Sequence, residues 1–255
     1  MLARLVAVGV TFLSVLGGVG LAQADFKGFY VGGYVGGAHG DSDAQTTTVF
    51  SPTGYFASTS VPAIAAAGAQ NLSGNGFSGG GQVGFNFQHK HVVVGFETDF
   101  GGMNQSNSKS ATATYPCCAP TNFTITQTVE TTWLFTLRPR IGFVAGPALF
   151  YGTGGLAMTD VNYTELFTDT FATAHETGAA DGTQTGWTGG GGVEVKVGSH
   201  WSVKGEYLYA DFGSLSTTST NLTAFTPPIA FPTNVFTHTA DLRAHNYRFG
   251  FNFHF

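Results

Sequence analysis

The chain ends in the stretch Tyr247-Arg-Phe-Gly-Phe-Asn-Phe-His-Phe255, which alternates strictly between aromatic side chains and smaller or polar ones. Successive side chains of an extended strand point to opposite faces, so the five aromatic residues share one face. An aromatic face opposite Arg248, Asn252 and His254 is typical of a transmembrane β-strand, with lipid on one side and the lumen on the other. Unpaired backbone groups cost several kcal/mol in hydrocarbon, so such a strand must pair on both edges. We therefore predict a closed barrel in which this strand pairs with the first strand of the mature chain.

The N-terminus has the pattern of a secretory signal peptide. A basic start ending at Arg4 precedes an uncharged apolar run over residues 5–21, and Ala22-Gln-Ala24 supplies the small residues of a cleavage site. We predict a cleaved signal peptide over residues 1–24 and one domain over residues 25–255. No later stretch approaches about eighteen consecutive apolar residues, which argues against a helical membrane protein.

The composition argues against several other classes of protein. Only 10% of the residues are charged, 42% are hydrophobic, and 37 of the 255 are glycine, whereas about a quarter of the residues of a soluble domain are charged. The formal net charge is −5 and no basic patch is visible, which argues against a nucleic-acid partner. We expect no cofactor, no metal ion and no enzymatic activity.

The spacing of the strand-like segments predicts the topology. Seven further segments have the composition or alternation of strands: residues 27–39, 77–88, 91–103, 128–144, 148–160, 186–197 and 201–213. Four long polar stretches, residues 41–75, 104–127, 161–185 and 214–239, alternate with very short turns. Four structureless loops of that length are rare in a compact soluble domain, but they are the external loops expected of an outer-membrane barrel.

We therefore predict an all-β fold: an eight-stranded antiparallel transmembrane up-and-down β-barrel with short periplasmic turns and four long external loops. Each strand has roughly the 9–11 residues that cross a bilayer at a tilt. A ten-stranded barrel is the alternative if residues 41–75 contain a hairpin. Pro139 removes a ladder donor in the fourth strand and predicts a bulge or a local break there.

Several segments resemble a known family. Phe26-Lys-Gly-Phe-Tyr-Val-Gly-Gly-Tyr-Val-Gly-Gly37 is similar to the opening strand of the small outer-membrane β-barrel proteins of alphaproteobacteria, a porin-like surface-antigen family related in fold to the membrane domain of outer-membrane protein A. The resemblance extends to Trp133-Leu-Phe-Thr-Leu-Arg-Pro-Arg-Ile-Gly-Phe143, Gly146-Pro-Ala-Leu-Phe-Tyr-Gly-Thr-Gly-Gly-Leu-Ala157, Gly186-Trp-Thr-Gly-Gly-Gly-Gly-Val-Glu194, Trp201-Ser-Val-Lys-Gly-Glu-Tyr-Leu-Tyr-Ala-Asp-Phe-Gly213 and the terminal strand. Pro139 departs from the family pattern, which has glycine at that place.

The resemblance implies a place in the outer membrane of a Gram-negative bacterium and a structural or surface role in the cell envelope. It leaves open a low porin-like permeability. The alternatives are a true small-solute porin, a haemin-binding surface receptor and, last, a membrane hydrolase. The expected partners are membrane lipid, lipopolysaccharide and the outer-membrane assembly machinery, whose terminal signal is resembled by Tyr247, Phe249, Phe251, Phe253 and Phe255.

Ten charged residues fall on the inward faces of the predicted strands. They are Glu97, Asp99, Glu130, Arg138, Arg140, Glu194, Lys196, Lys204, Glu206 and Arg248. A barrel of about eight strands has room only for its own side chains, and a buried charge is costly unless it is paired. These residues predict a salt-bridged plug, and a gated ion path is the alternative.

Aromatic residues near strand ends or on outward faces predict the girdles that mark the two membrane boundaries. They are Trp133, Tyr151, Trp187, Trp201, Tyr207 and Tyr209.

Four groups of residues could carry chemistry. His200-Trp-Ser202 has the spacing of the His-x-Ser pair of an outer-membrane lipid A deacylase, but it is also an ordinary turn beside an interfacial tryptophan. His238, Asp241, His245 and Asp211 could cluster at the external rim as in an omptin-type protease, although polar residues are common at such a rim. His39, His175 and His238 keep the haemin receptor open, while His89-Lys-His91 is a weak metal pair in a solvated turn.

The two cysteines are adjacent, Cys117-Cys118, in a predicted external loop where oxidation is permitted. They could form an eight-membered disulfide ring, link two chains, or only stiffen the loop.

Overall fold

The computed structural model describes residues 23–255, so all but the last two residues of the predicted signal peptide lie outside the described part. The elements in chain order are β1 (Gly28–Thr48), α1 (Ser60–Gly68), β2 (Gln70–His89), β3 (Val92–Thr114), β4 (Asn122–Ala145), β5 (Ala148–Asp169), β6 (His175–Lys196), β7 (Trp201–Ser219), β8 (Thr223–Ala224), β9 (Ile229–Ala230) and β10 (Phe236–His254).

Eight long antiparallel strands form a closed ring. Each of β1 to β6 pairs with the next strand in the chain, and β10 pairs with both β7 and β1. At the seam Tyr30 lies opposite His254 and Thr48 opposite Phe236, and the Phe255 amide donates to the carbonyl oxygen of Phe29 over 3.0 Å. The predicted eight-stranded barrel and its pairing of last strand with first are confirmed. The two-residue strands β8 and β9 form a small hairpin beside β6, outside the ring.

The ring strands are 19 to 24 residues long, about twice the length that a bilayer requires. Their periplasmic halves carry an outward band of exposed apolar side chains, which includes Phe29, Val31, Val35, Phe85, Phe96, Phe100, Leu137, Ile141, Phe143, Phe150, Trp187, Val193, Phe249 and Phe251. On the outer face of their external halves the side chains include many serines and threonines. The barrel wall therefore continues well beyond the membrane on the external side.

This extension corrects the predicted loops. The external connections are residues 49–69, 115–121, 170–174 and 220–235, and most of the remaining residues in the four polar stretches belong to strands. The reason is cross-strand pairing of β-favouring hydroxyl residues. On the outer face of β3 and β4, Ser110 pairs with Thr126 over 2.7 Å and Thr112 with Thr124 over 2.8 Å. The polar residues of these stretches indicate that the segments are exposed to solvent, but they do not show that the backbone is irregular.

A bulge changes the facing of β4. Between Glu130 and Leu134 this strand has one residue more than the facing part of β5, which runs from Thr159 to Asn162. An extra residue turns every following side chain to the opposite face. At Pro139 the sequence predicts a bulge or a local break, and the structure has the local break. Pro139 and the residue before it lack ladder partners on β5, but the register resumes unchanged, so Pro139 makes only a local break.

The first external connection contains a helix that the sequence did not predict. In α1, Pro62 occupies the first turn, where its missing N–H costs no helical hydrogen bond. Ser60, Ile64 and Gly68 are buried on one face. A Cβ atom on Gly68 would lie 2.2 Å from the carbonyl oxygen of Thr46, so glycine allows the helix to approach β1. Across residues 23–255, no helix is long and apolar enough to cross a membrane.

Three clusters of apolar side chains fill the inside of the barrel at different heights. The periplasmic cluster contains Phe26, Val93, Val144, Leu149 and Tyr151. The middle cluster contains Ala38, Ala44, Leu72, Met103, Val129, Leu134, Ala157, Val161, Tyr163, Ala210, Phe212, Ala240, Leu242 and Ala244. The external cluster contains Phe56, Ile64, Tyr115, Phe123, Ile125, Phe167, Ala174, Leu222, Ala224 and Phe236. Charged and polar side chains occupy the two levels between them.

Candidate functional site: the filled lumen

The level between the periplasmic and middle clusters holds a balanced set of charges, which we call the ion network. Its members are at most 5% exposed: Glu97, Asp99, Glu194, Glu206, Arg138, Arg140, Lys204 and Arg248. Four carboxylates therefore face four cations. The strands that supply them surround the lumen, since the acids lie on β3, β6 and β7 and the bases on β4, β7 and β10.

Arg138 is the centre of this network. Its Nη2 atom lies 2.7 Å from Oε1 of Glu97 and 2.8 Å from Oδ2 of Asp99, and its Nη1 atom lies 3.2 Å from Oε1 of Glu206. The guanidinium also donates from Nε to Oγ1 of Thr136 over 2.9 Å. A planar guanidinium with several donors can satisfy carboxylates on different walls at once. Arg138 thus joins β4 to β3 and to β7 across the lumen.

The other cations extend the network in both directions. Arg140 reaches Oε2 of Glu194 over 3.0 Å, and Arg248 reaches Oδ1 of Asp99 over the same distance. Lys204 approaches Oε1 of Glu97 to 2.8 Å. Each acid therefore has at least one basic partner, as buried charges require.

Tyrosines complete the site, and sequence reasoning missed their role. Tyr30 donates to Glu97 over 2.8 Å, and Tyr151 donates to Glu206 over 2.9 Å. The ring of Tyr34 lies under Arg248, with 4.2 Å from the guanidinium carbon to the ring centroid. Tyr151 was expected in a boundary girdle, but it faces the lumen. The four-residue spacing of Tyr30 and Tyr34 on one strand face could have indicated their common direction.

Two of the ten predicted lumen charges lie outside the network. Glu130 is exposed on the outer face, where it accepts a hydrogen bond from Ser106 over 2.8 Å. The bulge that follows it reverses the facing of β4, so alternation counted back from Arg138 assigns it to the wrong side. Lys196 is half-buried at the periplasmic mouth, and its Nζ atom lies 5.5 Å from the centroid of the Phe26 ring.

A second polar group, which we call the external triad, lies between the middle and external clusters. It consists of Glu165 on β5, Glu176 on β6 and His238 on β10, and all three side chains are inaccessible to solvent. His238 Nδ1 is 3.9 Å from Oε2 of Glu165, and Nε2 is 3.6 Å from Oε1 of Glu176. Burial, and then the neighbouring carboxylate of Glu176, raise the pKa of Glu165 to about 10. Both glutamates belong to a stretch that the sequence predicts as an external loop, so nothing in its pattern indicates a position in the lumen.

The comparison with protein families settles which kind of barrel this is. Residues 8–255 match the family model described as the outer membrane protein beta-barrel domain. The chain belongs to this family.

Relatives in this family share part of their sequence with the chain. The 31 kDa outer-membrane immunogenic protein of Brucella melitensis is 36% identical over 57% of this chain and 58% of its own length. The 22 kDa outer membrane protein of Rhizobium leguminosarum is 30% identical over 53% of each. The chain therefore spans little more than half the length of these two relatives.

Among solved structures, Neisserial surface protein A is a neighbour with 13% identity and a TM-score of 0.34, covering 90% of this chain and 98% of that one. A score this low adds nothing to the assignment, which rests on the family match. As a member of the outer-membrane β-barrel family the protein is located in the outer membrane, as the sequence predicted.

Apart from Tyr151, the predicted boundary aromatics of this outer-membrane barrel lie on its outer face. Trp187 is 55% exposed and Trp201 is 50% exposed. Trp133 packs against Phe100 with ring centroids 5.9 Å apart, and Tyr207 and Tyr209 lie on β7 at the height of His245. Trp201 is at the periplasmic end and the other four are near the external end of the apolar band. The terminal aromatics also face outward.

The residues proposed for hydrolase chemistry do not come together. His200 pairs with Ser199 over 2.8 Å, whereas Ser202 points into the lumen and donates to Glu194 over 2.6 Å. In the rim group, His238 points inward while Asp241, His245 and Asp211 are on the outer face, because odd and even positions of a strand face opposite ways.

The remaining candidates are also apart. His39 lies on the outer face beside His245, His175 is exposed at the start of β6, and His238 is buried. These three histidines do not form one haemin site. Cys117 and Cys118 are bonded to each other in the second external connection, which corresponds to the ring form among the three possibilities.

Proposed function

We propose that this outer-membrane protein is a closed barrel with a structural and surface role, and that it neither conducts solutes nor catalyses a reaction. The observation that carries the proposal is Arg138, which is fully buried and bound to carboxylates of two other strands across the lumen. An open pore would leave such charges hydrated and separated. A network that neutralises itself stabilises a shut barrel instead.

The packing above and below the ion network supports the same proposal. The periplasmic cluster covers one side of it, and the middle and external clusters with α1 cover the other. Beside Met103 and Gln105 a cavity of about 20 Å³ remains, and about one water molecule fits a space of that size. Several layers of side chains would have to move before a solute could cross.

The external half of the barrel is the part that other molecules can touch. Its outer face carries a ladder of hydroxyl groups, in which Ser108 pairs with Thr128 over 2.8 Å and Ser110 with Thr126 over 2.7 Å. This ladder begins just above the apolar band, at the height of the sugars of the outer leaflet. We propose that it contacts lipopolysaccharide, while the apolar band contacts membrane lipid. The name of the Brucella relatives, outer-membrane immunogenic protein, supports surface exposure.

The last strand supports a proposal about assembly. Phe249 is 61% exposed and Phe255 is 70% exposed, and β10 is the strand that closes the ring on β1. A terminal strand with free aromatic side chains can add to the edge of another sheet before the ring closes. We propose that the outer-membrane assembly machinery reads this strand.

Conductance in a planar bilayer tests the closed barrel. The refolded mature chain, shown to be folded by its heat-modifiable migration, should give no stable current steps, and liposomes that contain it should not swell in small sugars. Arg138→Ala combined with Arg140→Ala should produce steps or leak if the network closes the lumen. Reproducible steps from the unmodified protein would contradict the proposal and make the protein a porin.

A further inference from the structure

The external triad brings three metal-ligating side chains together from three strands. One donor atom each of Glu165, Glu176 and His238 lies within 4.8 Å of the other two. Donors around a tetrahedral zinc ion, with bonds of about 2.0–2.1 Å, lie about 3.3 Å apart. Side-chain rotations that move each donor by about an ångström would therefore place all three on one ion. We propose that these residues bind a divalent transition-metal cation.

Unsatisfied carboxylate oxygens point to a missing positive charge at this place. Neither oxygen of Glu165 accepts a hydrogen bond, and Oε2 of Glu176 accepts none, although both residues are at most 3% exposed. Among residues 23–255, the ion pairs of these two carboxylates involve His238 and no lysine or arginine. Buried charges are normally paired or coordinate a metal. This contrasts with the ion network, where four acids meet four bases.

The surroundings of His238 are built as metal sites usually are. Its Nδ1 atom lies 3.1 Å from Oγ1 of Thr46, and its Nε2 atom lies 3.1 Å from Oγ of Ser219. Whichever nitrogen binds the metal, the other can donate to a hydroxyl, and such outer contacts orient ligating histidines. Gly178 makes room for the ring, because a Cβ atom there would lie 2.5 Å from Nε2.

The donor set indicates the class of ion. One imidazole and two carboxylates suit zinc and neighbouring transition metals, whereas calcium and magnesium prefer oxygen ligands alone. The site lies between two apolar clusters, which favours a structural role. A bound ion would join β5, β6 and β10 in the part of the barrel that has no lipid around it.

The competing explanation is a proton shared between the two glutamates. The raised pKa of Glu165 is compatible with it, because a proton removes one of the two buried charges. A shared proton would need only the two carboxylates, whereas a metal also needs His238. The two explanations therefore differ in what happens when the histidine or a glutamate is changed.

The test uses the tag-free mature chain, refolded with and without Zn²⁺ because the buried site fills most easily during folding. After removal of free ion, elemental analysis should find one zinc per chain, and thermal unfolding should occur at a higher temperature than in the zinc-free sample. Ca²⁺ and Mg²⁺ should have no such effect. Glu165→Gln, Glu176→Gln and His238→Gln should each lower zinc affinity by tenfold or more.

A matched surface variant, His39→Gln with His245→Gln, should bind zinc as the parent does, since this pair lies on the outer face beside Asp41. The proposal is overturned if heat-modifiable parent protein retains no zinc, or if Glu165→Gln retains it at parental affinity. It is also overturned if only the surface variant loses zinc. A higher unfolding temperature for zinc-free Glu165→Gln, together with no zinc in the parent, would establish the shared proton.

Discussion

Replacing Arg138 by methionine tests whether the ion network holds the barrel together. Methionine keeps the apolar stem and removes the contacts to Glu97, Asp99 and Glu206 at 2.7, 2.8 and 3.2 Å. The nearest cations left to Glu206 are then Lys204, at 3.7 Å, and Arg248, at 3.9 Å. Removing one partner of a buried pair costs about 3–5 kcal/mol, because the other charge stays buried without compensation. The equilibrium constant of folding should fall by a factor of about 100 or more.

A second variant separates the unpaired charge from the lost packing. Arg138→Met combined with Glu206→Gln restores the balance of charges in the lumen while leaving the new methionine in place. If the cost comes from the uncompensated carboxylate, the double variant should regain a large part of the lost stability, in line with the near-neutral replacement of whole ion pairs by uncharged groups. If the cost comes from packing, the double variant should be no more stable than Arg138→Met.

The assay is urea unfolding in lipid vesicles, followed by tryptophan fluorescence. Arg243→Met is the matched control, because Arg243 forms an exposed pair with Asp43 and Asp241 on the outer face, over 3.5 and 3.4 Å. An exposed pair contributes less than about 1 kcal/mol. Equal unfolding midpoints for Arg138→Met and Arg243→Met would refute the reasoning, since a buried network cannot then be the stabilising element.

Three further predictions concern assembly, the external end and pH. Deletion of Phe255 should lower the folded, heat-modifiable fraction in outer membranes, and unchanged assembly would count against a terminal signal. Gly68→Ala should cost about 1–3 kcal/mol, because its Cβ atom meets the carbonyl oxygen of Thr46 at 2.2 Å; Gly198→Ala, with no atom within 4 Å, is its control, and equal stability of the two would show that α1 can shift freely. In metal-free protein, Glu165 keeps in the folded state a proton that the unfolded chain releases above about pH 4.5, so its contribution to stability is complete below that pH and is lost as the pH rises toward about 10. In metal-free protein Glu165→Gln should therefore flatten the fall of unfolding free energy between about pH 6 and pH 9 by on the order of 1 kcal/mol per pH unit, and parallel profiles would disprove this account.

Local pattern was enough for the membrane part of the fold. The two-residue alternation of the terminal strand and the short turns are properties of neighbouring residues, and from them the eight strands, their antiparallel order and the seam between β1 and β10 follow. The same alternation assigned all eight charged residues of the ion network to the inner face of the barrel. Where no bulge intervenes, counting by twos gives the facing of every side chain.

Tertiary pairing decided what local pattern left undefined. Glu130 faces outward because a bulge in β4 shifts the count by one residue, and a bulge depends on how β4 and β5 align rather than on either sequence alone. Glu165, Glu176 and His238 meet only because three strands, two of them distant in sequence from the third, reach the same height inside the barrel. They do so in its external half, which the polar sequence predicts as loops. The sequence by itself determined which strands cross the membrane, since burial in lipid requires an apolar face that can be read residue by residue. Only the tertiary structure decided what fills the lumen, since that depends on register, which is set by the pairing partner.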